Sequence, residues 1–112
     1  MVPQPRVELL WWRECPSWEE ALAILRAEME AVGLDAGALD VREMRTDRDA
    51  ELEGFVGSPT IRVNGRDLQP PGEQPIGLTC RVYRLRDGRI SPLPDRAEVH
   101  EALVGAIVED DG

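Results

Sequence analysis

The sequence predicts an α/β fold, a mixed sheet sandwiched between helices, and three observations predict it. An apolar run from Val7 to Trp12 passes through a short turn into a strongly amphipathic helix, and a second extended run at Leu39–Met44 follows. Gly57-Ser58-Pro59 makes a corner in front of another alternating strand. That strand, Thr60–Gly65, ends on Asn64-Gly65, the dipeptide best suited to a tight hairpin turn.

Val7, Leu9 and Trp11 alternate with Glu8, Leu10 and Trp12, so the first strand reads as apolar on both faces and suits a central place covered by helices on both sides. Pro16 fits the first turn of the next helix, where its missing N–H costs nothing. Trp18, Leu22, Leu25, Met29 and Val32 then recur at steps of four and three, with Glu19, Glu20, Arg26, Glu28 and Glu30 outside the stripe and Gly33 as the stop. Thr46 with Asp49 forms a capping pair for a short helix through Ala50 and Leu52, which Gly54 ends. Phe55-Val56 returns the chain to the core, and Arg66–Gln69 begins the strand returning from the hairpin. Pro70 to Gly77 holds three prolines and two glycines and reads as loop. Cys80–Leu85 is extended again, with Asp87-Gly88 as a turn. Asp95 caps a last helix, with Glu98 three positions on and Val99, Ala102, Leu103, Ala106 and Ile107 facing inward.

The 112 residues suffice for one core and one domain, 1–112, with flexible tails expected at 1–5 and 109–112. No apolar run approaches a membrane span, and the first residues lack the pattern of a signal peptide, so a cytoplasmic protein is expected. In that reducing compartment both cysteines should be thiols for most of their time. The net charge of −9 argues against non-specific binding to nucleic acid or anionic membranes. Residues 58–96 are locally basic, which leaves either a small anionic surface site or, as the plainer account, a solvated rim of arginines. There is no phosphate loop, zinc-ligand cluster or Ser-His-Asp arrangement, and no cofactor or metal is expected. His100 falls outside the apolar stripe of its helix and should lie on the surface.

Two motifs carry a family resemblance: Trp12-Arg13-Glu14-Cys15-Pro16-Ser17-Trp18 at the first strand-to-helix turn, and Gly57-Ser58-Pro59-Thr60 before the third strand. In that order and context the chain resembles the thioredoxin-like superfamily. It looks most like small bacterial thioredoxin- or glutaredoxin-like proteins with Cys-Pro-Ser-Trp in place of Cys-x-x-Cys. The resemblance implies a mixed four-stranded sheet flanked by helices, with an inserted loop after the third-strand hairpin. It also implies a cis peptide before Pro59 and backbone groups of Ser58 offered to an extended thiol substrate.

A thiol at a helix start is favoured as thiolate, so Cys15 is the expected nucleophile; the plain alternative is an inert cysteine packed under Trp12 and Trp18. Trp18 takes the place of the second cysteine of a redox pair, leaving Cys80 as the candidate resolving thiol or else a cysteine of the core. Cys15 and Cys80 are thus the expected catalytic residues, with Ser58, Pro59, Trp18 and Trp12 at the substrate. The expected activity is thiol–disulfide exchange with a protein or a low-molecular-weight thiol or disulfide. Two alternatives remain: capture of a soft metal or organomercurial by Cys15 and Cys80, and an interaction module without chemistry.

Overall fold

The computed structural model describes residues 4–111, with side chains through Val108. Its elements are β1 (Val7–Trp11), α1 (Trp18–Ala31), β2 (Asp40–Glu43), α2 (Asp47–Glu53), β3 (Thr60–Val63), β4 (Arg66–Asp67), β5 (Tyr83–Arg84), β6 (Ile90–Ser91) and α3 (Arg96–Asp111). A four-stranded mixed sheet runs β2-β1-β3-β4, with β1 parallel to β2 and antiparallel to β3. The expected α/β class and the central place of the first strand are both present. Asn64 and Gly65 take positive φ of 52° and 79°, the backbone of a tight hairpin turn between β3 and β4. The short strands β5 and β6 form a separate hairpin around Asp87-Gly88.

The period-two alternation of β1 splits the core in two. Val7 and Leu9 pack with Ala21, Leu25 and Met29 of α1, Ile61 and Val63 of β3, and Val99, Leu103 and Ala106 of α3. Leu10 packs on the other side with Met44, Ala50 of α2 and Phe55. Two helices therefore cover one face of the sheet and a short one covers part of the other. That short helix begins with the predicted capping box: the Thr46 hydroxyl accepts from the Asp49 N–H at 3.0 Å, and the Asp49 carboxylate accepts from the Thr46 N–H at 3.2 Å.

Where α2 leaves the second face open, charge fills it. Glu8, only 3 % exposed, accepts hydrogen bonds from Arg42 and from Arg6. Arg42 also reaches the Glu53 carboxylate at 2.8 Å, and Arg62 holds the same carboxylate at 3.2 Å and the Glu53 carbonyl at 2.5 Å. The first strand is therefore not apolar on both faces throughout. Its second position is a buried acid, affordable because two guanidinium groups neutralise it.

The hydrogen bond from Arg42 lowers the Glu53 pKa; burial opposes this, and the charges of Arg42 and Arg62 add to the lowering. A carboxylate depressed on folding contributes stability above its unfolded pKa and loses it as pH falls through the folded value. Glu53→Gln should therefore cost about 1 kcal/mol near neutral pH. In thermal melts across pH, the gap to wild type should close below the ordinary carboxylate range. A gap independent of pH would exclude this origin.

Several expectations change at the element ends. β1 stops at Trp11 because the Trp12 N–H turns aside to the Ser58 hydroxyl at 3.0 Å. Pro16 lies before α1, not in its first turn, and Ser17 is the N-cap. Of the Cys80–Leu85 run only Tyr83–Arg84 is strand, because the residues flanking Cys80, Thr79 and Arg81, bond to Ser58 and bridge that part of the run to the corner. The tail expected at 1–5 is already anchored at Gln4, whose side-chain amide exchanges hydrogen bonds with the backbone of Asp35, and Pro5 is buried. Residues 1–3 and 112 of the expected tails lie outside the described residues, and α3 runs through Asp111. The arginines of the basic segment mostly pair: Arg62 with Glu53, Arg81 with Asp67, Arg86 with Glu101, Arg89 with Asp87 and Arg96 with Glu28. The solvated rim of the plainer account describes Arg86, Arg89 and Arg96, whereas Arg62 is mostly covered and Arg81 is buried. His100 is on the surface as expected, with its Nδ1 3.2 Å from Glu28. No described helix is long and apolar enough to cross a membrane.

Candidate functional site

The site forms where three segments meet: the turn after β1, the corner before β3 and the end of the proline-rich loop. The Cys15 N–H bonds the Trp12 carbonyl at 3.0 Å, which folds the turn back and places the thiol inside, 1 % exposed. Its Sγ lies 3.2 Å from the Ser17 Oγ and 3.4 Å from the Ser58 carbonyl oxygen, to which a thiol donates. The Ser17 side chain makes no cap hydrogen bond to α1 and is turned to the sulfur instead.

Ser58 joins the three segments. Its hydroxyl accepts from the Trp12 N–H, which leaves the hydroxyl proton free for a sulfur. Its N–H donates to the Thr79 carbonyl at 2.8 Å, and its carbonyl accepts from the Arg81 N–H at 3.0 Å. The peptide between Ser58 and Pro59 is cis, as expected. The Pro59 carbonyl accepts from the buried Tyr83 hydroxyl at 2.5 Å. Burial raises the Tyr83 pKa above its ordinary value, so the phenol stays protonated and keeps donating.

Arg81 clamps the arrangement from behind. Its guanidinium is 2 % exposed, holds Asp67 at 2.9 Å, Thr60 at 3.3 Å and the Gln69 carbonyl at 3.1 Å, and lies 4.5 Å above the Tyr83 ring. Gly57 makes the close passage possible. It has φ +139°, and a Cβ there would stand 2.7 Å from the Arg81 Cβ.

Burial pushes the Cys15 thiol up, but hydrogen bonds from the Ser17 side chain and backbone, then from Ser58 and Cys80, outweigh it and bring the pKa below its ordinary value. For Cys80 the shift is upward: burial comes first, followed by its hydrogen bond to Cys15 and the charge there. The two thiols are therefore neighbours whose interaction favours the thiolate at Cys15 over Cys80. Both are free, Cys15 buried and Cys80 exposed. A cysteine of the core is thus excluded for Cys80.

The structure brings Cys15, Cys80, Ser58, Pro59 and the backbone of Trp12 together. It does not leave Ser58 open as the resemblance implies: both backbone groups expected to receive a substrate are taken by Thr79 and Arg81. Trp18 is also committed elsewhere, its ring stacked on Trp11 with centroids 3.9 Å apart. The side chain of Trp12 packs beside the Leu10–Phe55 cluster and, with Arg13, Glu43, Met44 and Arg45, lines a groove of about 320 Å³. Sequence reasoning missed Ser17, Gly57 and Arg81. For Ser17 a signal existed, a hydroxyl two residues after the thiol; for the others only the fold reveals the contact. Among the described residues no group of three or more His, Cys, Asp or Glu is placed to hold a metal ion. Comparisons with protein-family models, curated proteins and solved structures give no match to this chain.

Proposed function

We propose that this chain is a thioredoxin-like thiol–disulfide oxidoreductase that works through the Cys15–Cys80 pair. The observation that carries the reading is the meeting of two free thiols at Ser58: the Cys15 sulfur lies 3.4 Å from its carbonyl oxygen and 3.2 Å from the Ser17 hydroxyl, and Cys80 is bridged to its backbone. A thiolate is the nucleophile in disulfide exchange, and a second thiol beside it can resolve the mixed disulfide. The cis peptide at Pro59, beside Cys15 through Ser58, supports the thioredoxin-like assignment. Partners on this reading are thiols and disulfides. The working compartment is a reducing cytoplasm, in which external thiols return the oxidised pair to dithiol.

Incubation with oxidised glutathione tests the reading by intact mass and thiol titration. The wild type should lose both free thiols and gain one internal disulfide, and neither Cys15→Ser nor Cys80→Ser should reach that product. The ultraviolet absorbance of the thiolate should titrate below the ordinary cysteine value of about 8.5 and lose that low-pH component in Cys15→Ser. Two thiols still free after prolonged incubation would sink the proposal.

A further inference from the structure

Resting on that reading, the geometry points to an inverted division of labour: we propose that Cys80, not Cys15, is the sulfur that meets the substrate, and that the substrate is a small disulfide. Cys15 is 1 % exposed, whereas Cys80 is open to solvent. The edge along which an extended peptide would have to pair is closed. The Ser58 N–H and carbonyl are held by Thr79 and Arg81, and Cys80 sits between those two contacts, bridged to Ser58. The chain's own segment occupies the docking edge, and its Cys80 is exposed. A protein substrate laid along Ser58 would have to displace it, whereas a low-molecular-weight disulfide needs only to reach the exposed Cys80 sulfur.

The surroundings of Cys15 suit a base and resolving thiol. As thiolate it accepts from Ser17 and Ser58, and as thiol it donates to the Ser58 carbonyl at 3.4 Å, so both protonation states have partners. In the first step the Cys80 proton passes to the Cys15 thiolate while the Cys80 sulfur attacks one sulfur of RS–SR. The S–S bond breaks, and RS⁻ leaves with its electron pair and takes the proton from Cys15. In the second step Cys15, again thiolate, attacks the Cys80 sulfur, breaks the mixed disulfide and expels the second RS⁻, which takes a proton from water. The substrate disulfide is reduced to two RSH, and the pair is oxidised to the Cys15–Cys80 disulfide.

Brief exposure of the wild-type protein to oxidised glutathione, acid quench and tryptic mapping locates the first adduct. Cleavage after Arg13 and Arg26 isolates Cys15, and cleavage after Arg66 and Arg81 isolates Cys80. The adduct is expected on the Cys80 peptide. Cys15→Ser, which lacks both the base and the resolving thiol, should form it more slowly but hold it as a stable mixed disulfide on longer exposure, and Cys80→Ser should lose it. A first adduct on the Cys15 peptide, or accumulation in Cys80→Ser but not in Cys15→Ser, would overturn the inversion and leave the pair's redox function standing. No adduct and no internal disulfide in the wild type would remove both.

Discussion

Gly57→Ala is expected to lower stability by about 3–5 kcal/mol, a large share of what a domain of this size possesses. Two costs add. The φ of +139° is open to glycine and hostile to any residue with a Cβ. The new methyl would also meet the Arg81 Cβ at 2.7 Å and its backbone nitrogen at 3.0 Å. Neither neighbour can yield cheaply, since the Arg81 N–H is bonded to Ser58 and its guanidinium is anchored to Asp67. If the chain gives way, the Thr79–Arg81 segment must leave Ser58, and Cys80 leaves with it. Denaturation in urea should show the lowered midpoint. In the surviving folded protein the thiolate titration of Cys15 should move upward. A loss below about 1 kcal/mol would mean that the close approach is not as tight as described.

Arg81→Met is expected to cost about 3–5 kcal/mol, because it removes one member of a buried pair and strands the others. Asp67 would be left without its cation at 12 % side-chain exposure, and Thr60 and the Gln69 carbonyl would each lose a donor. For a domain of this size the melting midpoint should fall by more than about 10 °C. Removing the charge on both sides, Arg81→Met with Asp67→Leu, should recover part of the loss, since the stranded carboxylate is the larger cost. Equal losses in the single and double variants would show that the guanidinium acts by packing on Tyr83 and not by pairing with Asp67.

The α/β architecture was legible because its signals are local. The stripe from Trp18 to Val32, the Thr46–Asp49 capping box and the Asn64-Gly65 turn each act within a few residues, and all three appear where periodicity and turn chemistry put them. The Cys15 turn and the Ser58-Pro59 corner were legible for the same reason. What the chain did not disclose depends on contacts between distant segments. Glu8 sits in sequence on a strand face expected to be apolar, and only its contacts with Arg6 and with Arg42 on the neighbouring strand make it a buried neutralised acid. Cys80 reads as strand until the loop before it is seen to end on Ser58. Pairing of Ser58 with residues twenty or more positions away leaves no periodic trace, so sequence could name the corner but not its occupant.

The stack of Trp11 on Trp18, with Trp12 between them in sequence, has an optical consequence. All three indoles of the chain belong to the eight residues that enclose Cys15. The intrinsic tryptophan emission is therefore a signal from this one turn, against a background of a single tyrosine. Oxidation, alkylation or metal capture at the adjacent thiol can be followed by light without attaching a dye, and the molecule carries its own reporter at the place where its chemistry is proposed.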